Sequence, residues 1–185
     1  VAISHSNSPY VSAYPWSASG FGTKFANPST LPEATGRGVA FSPDGTAIAI
    51  SGDDAPWIWA YPWSASGFGT KFADPGTNPG TYANGVAFSA DSTAVAVALS
   101  NSPYVAAYPW SASGFGTKFS NPSTLPAGNS KSVAFSPAGT EMAVAHATSP
   151  YITAYPWDSS GFGTKFANPS TLPTANGSSV SFTNV

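Results

Sequence analysis

The chain of 185 residues has no cysteine, a single methionine and only 8% charged residues. Without cysteine there is no disulfide framework and no thiolate chemistry. No run of 18 apolar residues occurs, so no helical membrane insertion is expected. Six basic residues stand against eight acids, a net charge of −2. That balance argues against nucleic acid and against an anionic membrane surface, both of which attract a basic patch. The six basic residues are scattered, and four of them (Lys24, Lys71, Lys118, Lys165) are one repeat position seen four times. Sustained helical periodicity is missing as well. The chain opens at Val1 with no signal-like segment and reads as a processed or excerpted product.

Repetition is abundant instead. The word GFGTKF begins at Gly20, Gly67, Gly114 and Gly161, each copy preceded by YPW, at a constant period of 47 residues. A fixed period of this size marks a stacked repeat architecture. Within one unit, GVAFSPDGTAIAISG has two apolar runs joined by Ser42-Pro43-Asp44-Gly45. Proline presets φ and glycine accepts a positive φ, so this is a hairpin. PWIWAYPW reads as a third strand whose regular pairing should end or bulge near Pro62, which lacks an N–H. FGTKFAD reads as a short fourth strand. Four antiparallel strands per unit predict an all-β fold, a β-propeller of four 47-residue blades per chain.

VAFSPDGTAIAISG and its counterparts resemble the inner strands of a WD40-like repeat, with YPW where that family carries Trp-Asp. The Gly-His pair is missing, and proline replaces the aspartate. The near-identical YPWSASGFGTKF units are also similar to repetitive proteins of bacteriophages and environmental bacteria. The 47-residue period is reminiscent of tachylectin-type sugar-binding propellers. These resemblances imply a propeller and no defined activity.

The ends suggest a circular permutation with overlapping strand closure. Val1-Ala2-Ile3-Ser4 aligns with Ile48–Ser51, a second strand, while Val180 and Phe182 align with Val39 and Phe41 of a first strand. The expected blades are 1–26 plus 179–184, 38–73, 85–120 and 132–167. Closure within one chain makes a four-bladed ring; closure between two makes an eight-bladed dimer, and unclosed donation makes a filament.

Residues 7–32 and 101–126 differ at only two positions. Units so alike place the same groups around an axis, which favours multivalency over an asymmetric active site. His5 and His146 share one repeat position, filled elsewhere by Gly52 and Leu99, and no metal cluster accompanies them. No enzyme, metal or cofactor is expected. The expected role is a non-catalytic scaffold that self-assembles or displays a surface on a cell or virion, with a multivalent lectin as the alternative. Its partners would be further copies of the chain, a glycan or a surface protein, and its location extracellular or on a virion.

Candidate binding residues follow from the repeats. Phe21, Phe68, Phe115 and Phe162 lie beside glycine turns, where they would stack on sugar rings. Lys24, Lys71, Lys118 and Lys165 lie on the expected outermost strand, as edge protection or as groups for an acidic ligand. The second unit departs from the pattern with Asp53, Asp54, Trp57 and Trp59. Trp59 replaces Ser12, Ala106 and Thr153, so it either fills a local gap or anchors a partner.

Overall fold

The computed structural model describes residues 1–183, and its regular elements are all strands. The second repeat shows the plan. β5 (Gly36–Phe41), β6 (Ala47–Gly52), β7 (Ile58–Ser64) and β8 (Gly67–Phe68) form one antiparallel sheet in that order. The third repeat makes the same sheet from β9 (Ala83–Phe88), β10 (Ala94–Leu99), β11 (Val105–Ser111) and β12 (Gly114–Phe115). The fourth uses β13 (Ser130–Phe135), β14 (Glu141–His146), β15 (Ile152–Asp158) and β16 (Gly161–Phe162). The first repeat holds two small sheets, β1 (Ala2–Ser4) with β2 (Val11–Ala13) and β3 (Trp16–Ser17) with β4 (Gly20–Phe21).

Sheets pack face to face through alternating sides of their strands. On β10, Val95, Val97 and Leu99 join the core shared with the second repeat. Ala94, Ala96 and Ala98 join the core shared with the fourth. Large residues thus face one neighbour and small ones the other, which lets successive sheets nest. The strands β5, β9 and β13 adjoin one another and form the inner ends of the sheets.

The Ser-Pro-Asp-Gly turn forms as expected. Gly45 has φ +72°, and Ser42 Oγ donates to Asp44 Oδ1 at 2.5 Å. The Ala47 N–H donates back to Ser42 Oγ at 2.9 Å. The expected break at proline occurs in the first repeat alone, where Tyr14-Pro15 separates β2 from β3. In the second repeat β7 runs through Pro62, paired opposite Ala47. The expected fourth strand is shorter than the sequence suggests. It spans only Gly-Phe, and the lysines fall in the loop beyond it. Two bonds hold that loop: Gly69 N–H to Pro62 O at 2.8 Å and Phe72 N–H to Ala60 O at 3.0 Å.

The closure of blade 1 by residues 179–184 within the chain is not made among the described residues. Asn184 lies outside them. β1 pairs with β2 alone, and residues 177–183 run along the fourth repeat. Gly177 N–H donates to His146 O at 3.0 Å, and Val180 N–H to Ser132 Oγ at 3.4 Å. Gly36 N–H donates to His5 O in the same way, at 3.1 Å. The segment therefore follows the fourth repeat as β5 follows the first.

Candidate functional site

Each inner strand carries one irregularity at the same place. The register of β5 on β6 jumps from Gly36 to Gly38, and that of β13 on β14 from Ser130 to Ser132. On β9 it jumps from Ala83 to Gly85. The residues left out of the ladder are Arg37, Asn84 and Lys131. A bulge leaves its extra residue unpaired and turns its side chain away from the regular sheet face, a device common beside functional sites. All three line one cleft of about 520 Å³, together with Ser6, Thr35 and, from the C-terminal segment, Ser178.

Electrostatics make this cleft distinctive. Arg37 pairs with Asp53, Nη2 donating to Oδ2 at 3.1 Å, and that hydrogen bond raises the guanidinium above its ordinary range. Asn84 is tied by Nδ2 to Ser130 O at 2.7 Å and to Asn129 Oδ1 at 3.1 Å. Lys131 makes no hydrogen bond or ion pair among the described residues. Tyr82, 52% exposed, occupies the repeat position of Thr35 and Asn176, both at the cleft. The arrangement offers two cations, an amide and hydroxyls, a set suited to a small anionic, hydroxyl-bearing ligand.

Sequence reasoning passed over Arg37 and Lys131 as scattered charges. A signal was present: they are separated by two full repeats, so they share a repeat position with Asn84 and Ser178.

The sequence-derived candidates lie elsewhere. Phe68, Phe115 and Phe162 are half-buried and engaged edge to face by their own Trp63, Trp110 and Trp157 at 5.0–5.2 Å. Phe21 is 67% exposed, in the repeat that has no inner strand among the described residues. The lysines clamp their own loops, with Lys24, Lys118 and Lys165 donating to Asn27, Asn121 and Asn168. Lys71 instead forms an ion pair with Asp74. Trp59 requires correction as a binding residue: it is fully buried against Gly52 and fills a gap. Trp57 packs at the rim of a different core, the one shared by the second and third repeats, with φ +64°. Asp54 is exposed, and Asp53 alone of these residues is held by a side chain of the cleft.

His146 is fully buried, with Nε2 2.9 Å from Thr153 Oγ1. Burial pushes its pKa down. The unfolded chain therefore takes up a proton near pH 6.5 that the folded chain refuses. Stability from this group is complete above that pH and falls below it, until His146 protonates in the folded state. Thermal melts between pH 8 and 5 should show the fall, and His146→Leu, which copies Leu99, should remove this part of it.

No protein-family model matches the chain, and no curated protein is similar to it. Solved structures are similar in fold. A "putative 6-phosphogluconolactonase" of Bacteroides fragilis superposes with a TM-score of 0.70 at 15% identity, over 87% of this chain and 44% of its own. A protein of the same description from Bacteroides uniformis gives 0.63 at 18%, over 84% and 50%. A Lactobacillus plantarum protein gives 0.69 at 19%, over 91% and 51%. The fold is a multi-blade β-propeller. The chain spans about half the length of these structures.

These likenesses correct two expectations, that the chain is a non-catalytic scaffold and that it is not an enzyme. Two of the structures with a similar fold are named as putative 6-phosphogluconolactonases. The inference from near-identical repeats passed over one place where the repeats differ. Repetition dominates the perimeter, whereas Arg37, Asn84, Lys131 and Ser178 differ at the cleft and build an asymmetric site there. None of the three names mentions WD40 or a phage.

Proposed function

We propose that the cleft at the inner strands binds a small anionic sugar derivative, and that its chemistry is hydrolysis of a sugar lactone of the 6-phosphogluconolactone kind. The observation that carries this reading is the convergence of Arg37, Asn84 and Lys131 from three bulges on one cleft. The names of two structures of like fold support the substrate class.

In this reading Lys131 and Arg37 hold the phosphate, and Asn84 and Ser178 meet sugar hydroxyls. Asp53, fixed by Arg37, accepts a proton from water as it adds to the lactone carbonyl. The C1–O ring bond then breaks, the ring oxygen takes up a proton, and the product is the open carboxylate. A lactone is an activated ester, so orientation and charge stabilisation go far. We also propose that each 47-residue repeat is one WD40-like blade.

The test is calorimetric titration with 6-phosphogluconate, the stable product, alongside proton release from the lactone. Arg37→Gln and Lys131→Gln should each weaken binding about tenfold or more, equivalent to roughly 1.4 kcal/mol. Lys24→Gln should change nothing. Wild-type protein that neither binds the phosphate ester nor accelerates proton release would overturn the reading.

A further inference from the structure

The two end faces of this four-repeat unit are opposite halves of a single type of interface. Three complete copies of that interface occur inside the chain. In each, a Trp of one repeat is held between two phenylalanines: one from the preceding repeat and one from its own inner strand. Trp63 meets Phe25 at 5.1 Å and Phe41 at 5.0 Å. Trp110 meets Phe72 and Phe88 at 5.1 and 5.2 Å. Trp157 meets Phe119 and Phe135 at 5.3 and 5.1 Å.

The fourth Trp, Trp16, has neither and is 62% exposed. The two phenylalanines that stand at the matching repeat positions are Phe166, 46% exposed, and Phe182. Both lie at the far end of the chain.

Further differences match in the same way. A Cβ on Gly67, Gly114 or Gly161 would lie 3.0–3.2 Å from Phe25, Phe72 or Phe119, whereas Gly20 has no atom within 4 Å. The missing neighbour is again Phe166. Tyr61, Tyr108 and Tyr155 each donate their hydroxyl to Thr30, Thr77 or Thr124 of the preceding loop at 2.7–2.9 Å. Tyr14 has no such bond among the described residues, and its counterpart acceptor is Thr171. Val1 and Ile3 are 51% and 55% exposed, at the places where Ile48 and Ile50 are fully buried. The groove between neighbouring repeats holds about 190 Å³ at the third and fourth repeats and about 410 Å³ at the first and second. The larger groove is the one beside the empty strand position.

We propose that a second copy of this chain fills both faces, so that two copies close one ring. Residues 177–183 of each copy add to the free edge of β1 in the other, in the register of the complete sheets, with Val180 opposite Ile3 and Phe182 opposite Val1. Trp16 then lies between Phe166 and Phe182 of the second copy. A likeness covering about half of larger structures agrees with an arc of blades that does not close on itself. This inference is independent of the ligand assigned to the cleft, though ring closure would bring two such clefts to one axis.

The experiment is absolute mass by light scattering, with hydrogen exchange at Ala2–Ser4 and iodide quenching of Trp16. The expected result is twice the 18.8 kDa chain mass, with slow exchange at β1 and a protected Trp16. Trp16→Ala and Phe166→Ala should each reduce the mass to one chain in the micromolar range. Mixing the two variants should restore association, because a mixed pair keeps one interface free of either change. A misfolded chain gives no such rescue. A single-chain mass, whether Trp16 is exposed or covered in cis, or open-ended growth would each overturn the closed two-copy ring.

Discussion

Replacing Trp59 by alanine should lower the unfolding free energy by about 3–5 kcal/mol, the range for truncating a buried aromatic in a core. The indole is fully buried. Its ring occupies the space over Gly52, where a Cβ would stand 2.6 Å from Cζ3. The other repeats fill the same space differently. Leu99 stands over Ala106 in the third, both buried. In the first and fourth, His5 reaches Ser12 at 3.1 Å and His146 reaches Thr153 at 2.9 Å.

One volume is therefore divided between two positions, large with small. Gly52→Leu alone should overpack the site by at least about 1–3 kcal/mol, since its Cβ would also lie 2.5 Å from Thr35 O. Gly52→Leu with Trp59→Ala recreates the third-repeat pair and should recover the part of the summed loss that comes from the shared space, though not the contact with Thr35 O. Urea unfolding of the four proteins gives the coupling energy. Simple additivity would show that the two positions do not share one space.

Trp110→Ala should be comparably severe, at about 3–5 kcal/mol. Trp110 is 6% exposed and meets Phe72, Phe88 and Phe115 edge to face at 5.0–5.2 Å. Edge-to-face pairs each add roughly 0.5–1.5 kcal/mol beyond area burial. The same substitution at Trp16 should cost an isolated chain about 1 kcal/mol or less, because that ring is largely exposed and packs mainly on Phe21 at 4.9 Å. Denaturant melts at nanomolar protein would separate the two. Equal losses there would mean that Trp16 is covered within one chain.

Much of the fold was legible in the sequence because its signals are local. The Ser-Pro-Asp-Gly turn needs a proline-compatible φ, then a glycine, and both are written into consecutive residues. The period needs only counting. The fourth strand was over-read because FGTKFAD has strand-like composition, yet Pro62 has no N–H for the ladder and the pairing thins to two residues. What the repeated phenylalanines meet was not legible for a different reason. Their partners, Trp63, Trp110 and Trp157, lie across a hairpin, and a glycine turn says nothing about what the adjacent ring meets.

The cleft was legible only as one shared repeat position, not as a site. Arg37 and Lys131 are ordinary charges in the sequence, and only the bulges turn them out of the sheets toward one place. The sequence by itself determined the repeat, the hairpins, the all-β class and the matching of the two ends, since each depends on neighbouring residues or on the period. Tertiary structure alone decided which aromatics are core, which end of the sheets gathers the charges, and that residues 177–183 lie along the fourth repeat. Those outcomes depend on side-chain contacts across hairpins and between repeats, and on bulges whose cost and direction come from the packed sheet.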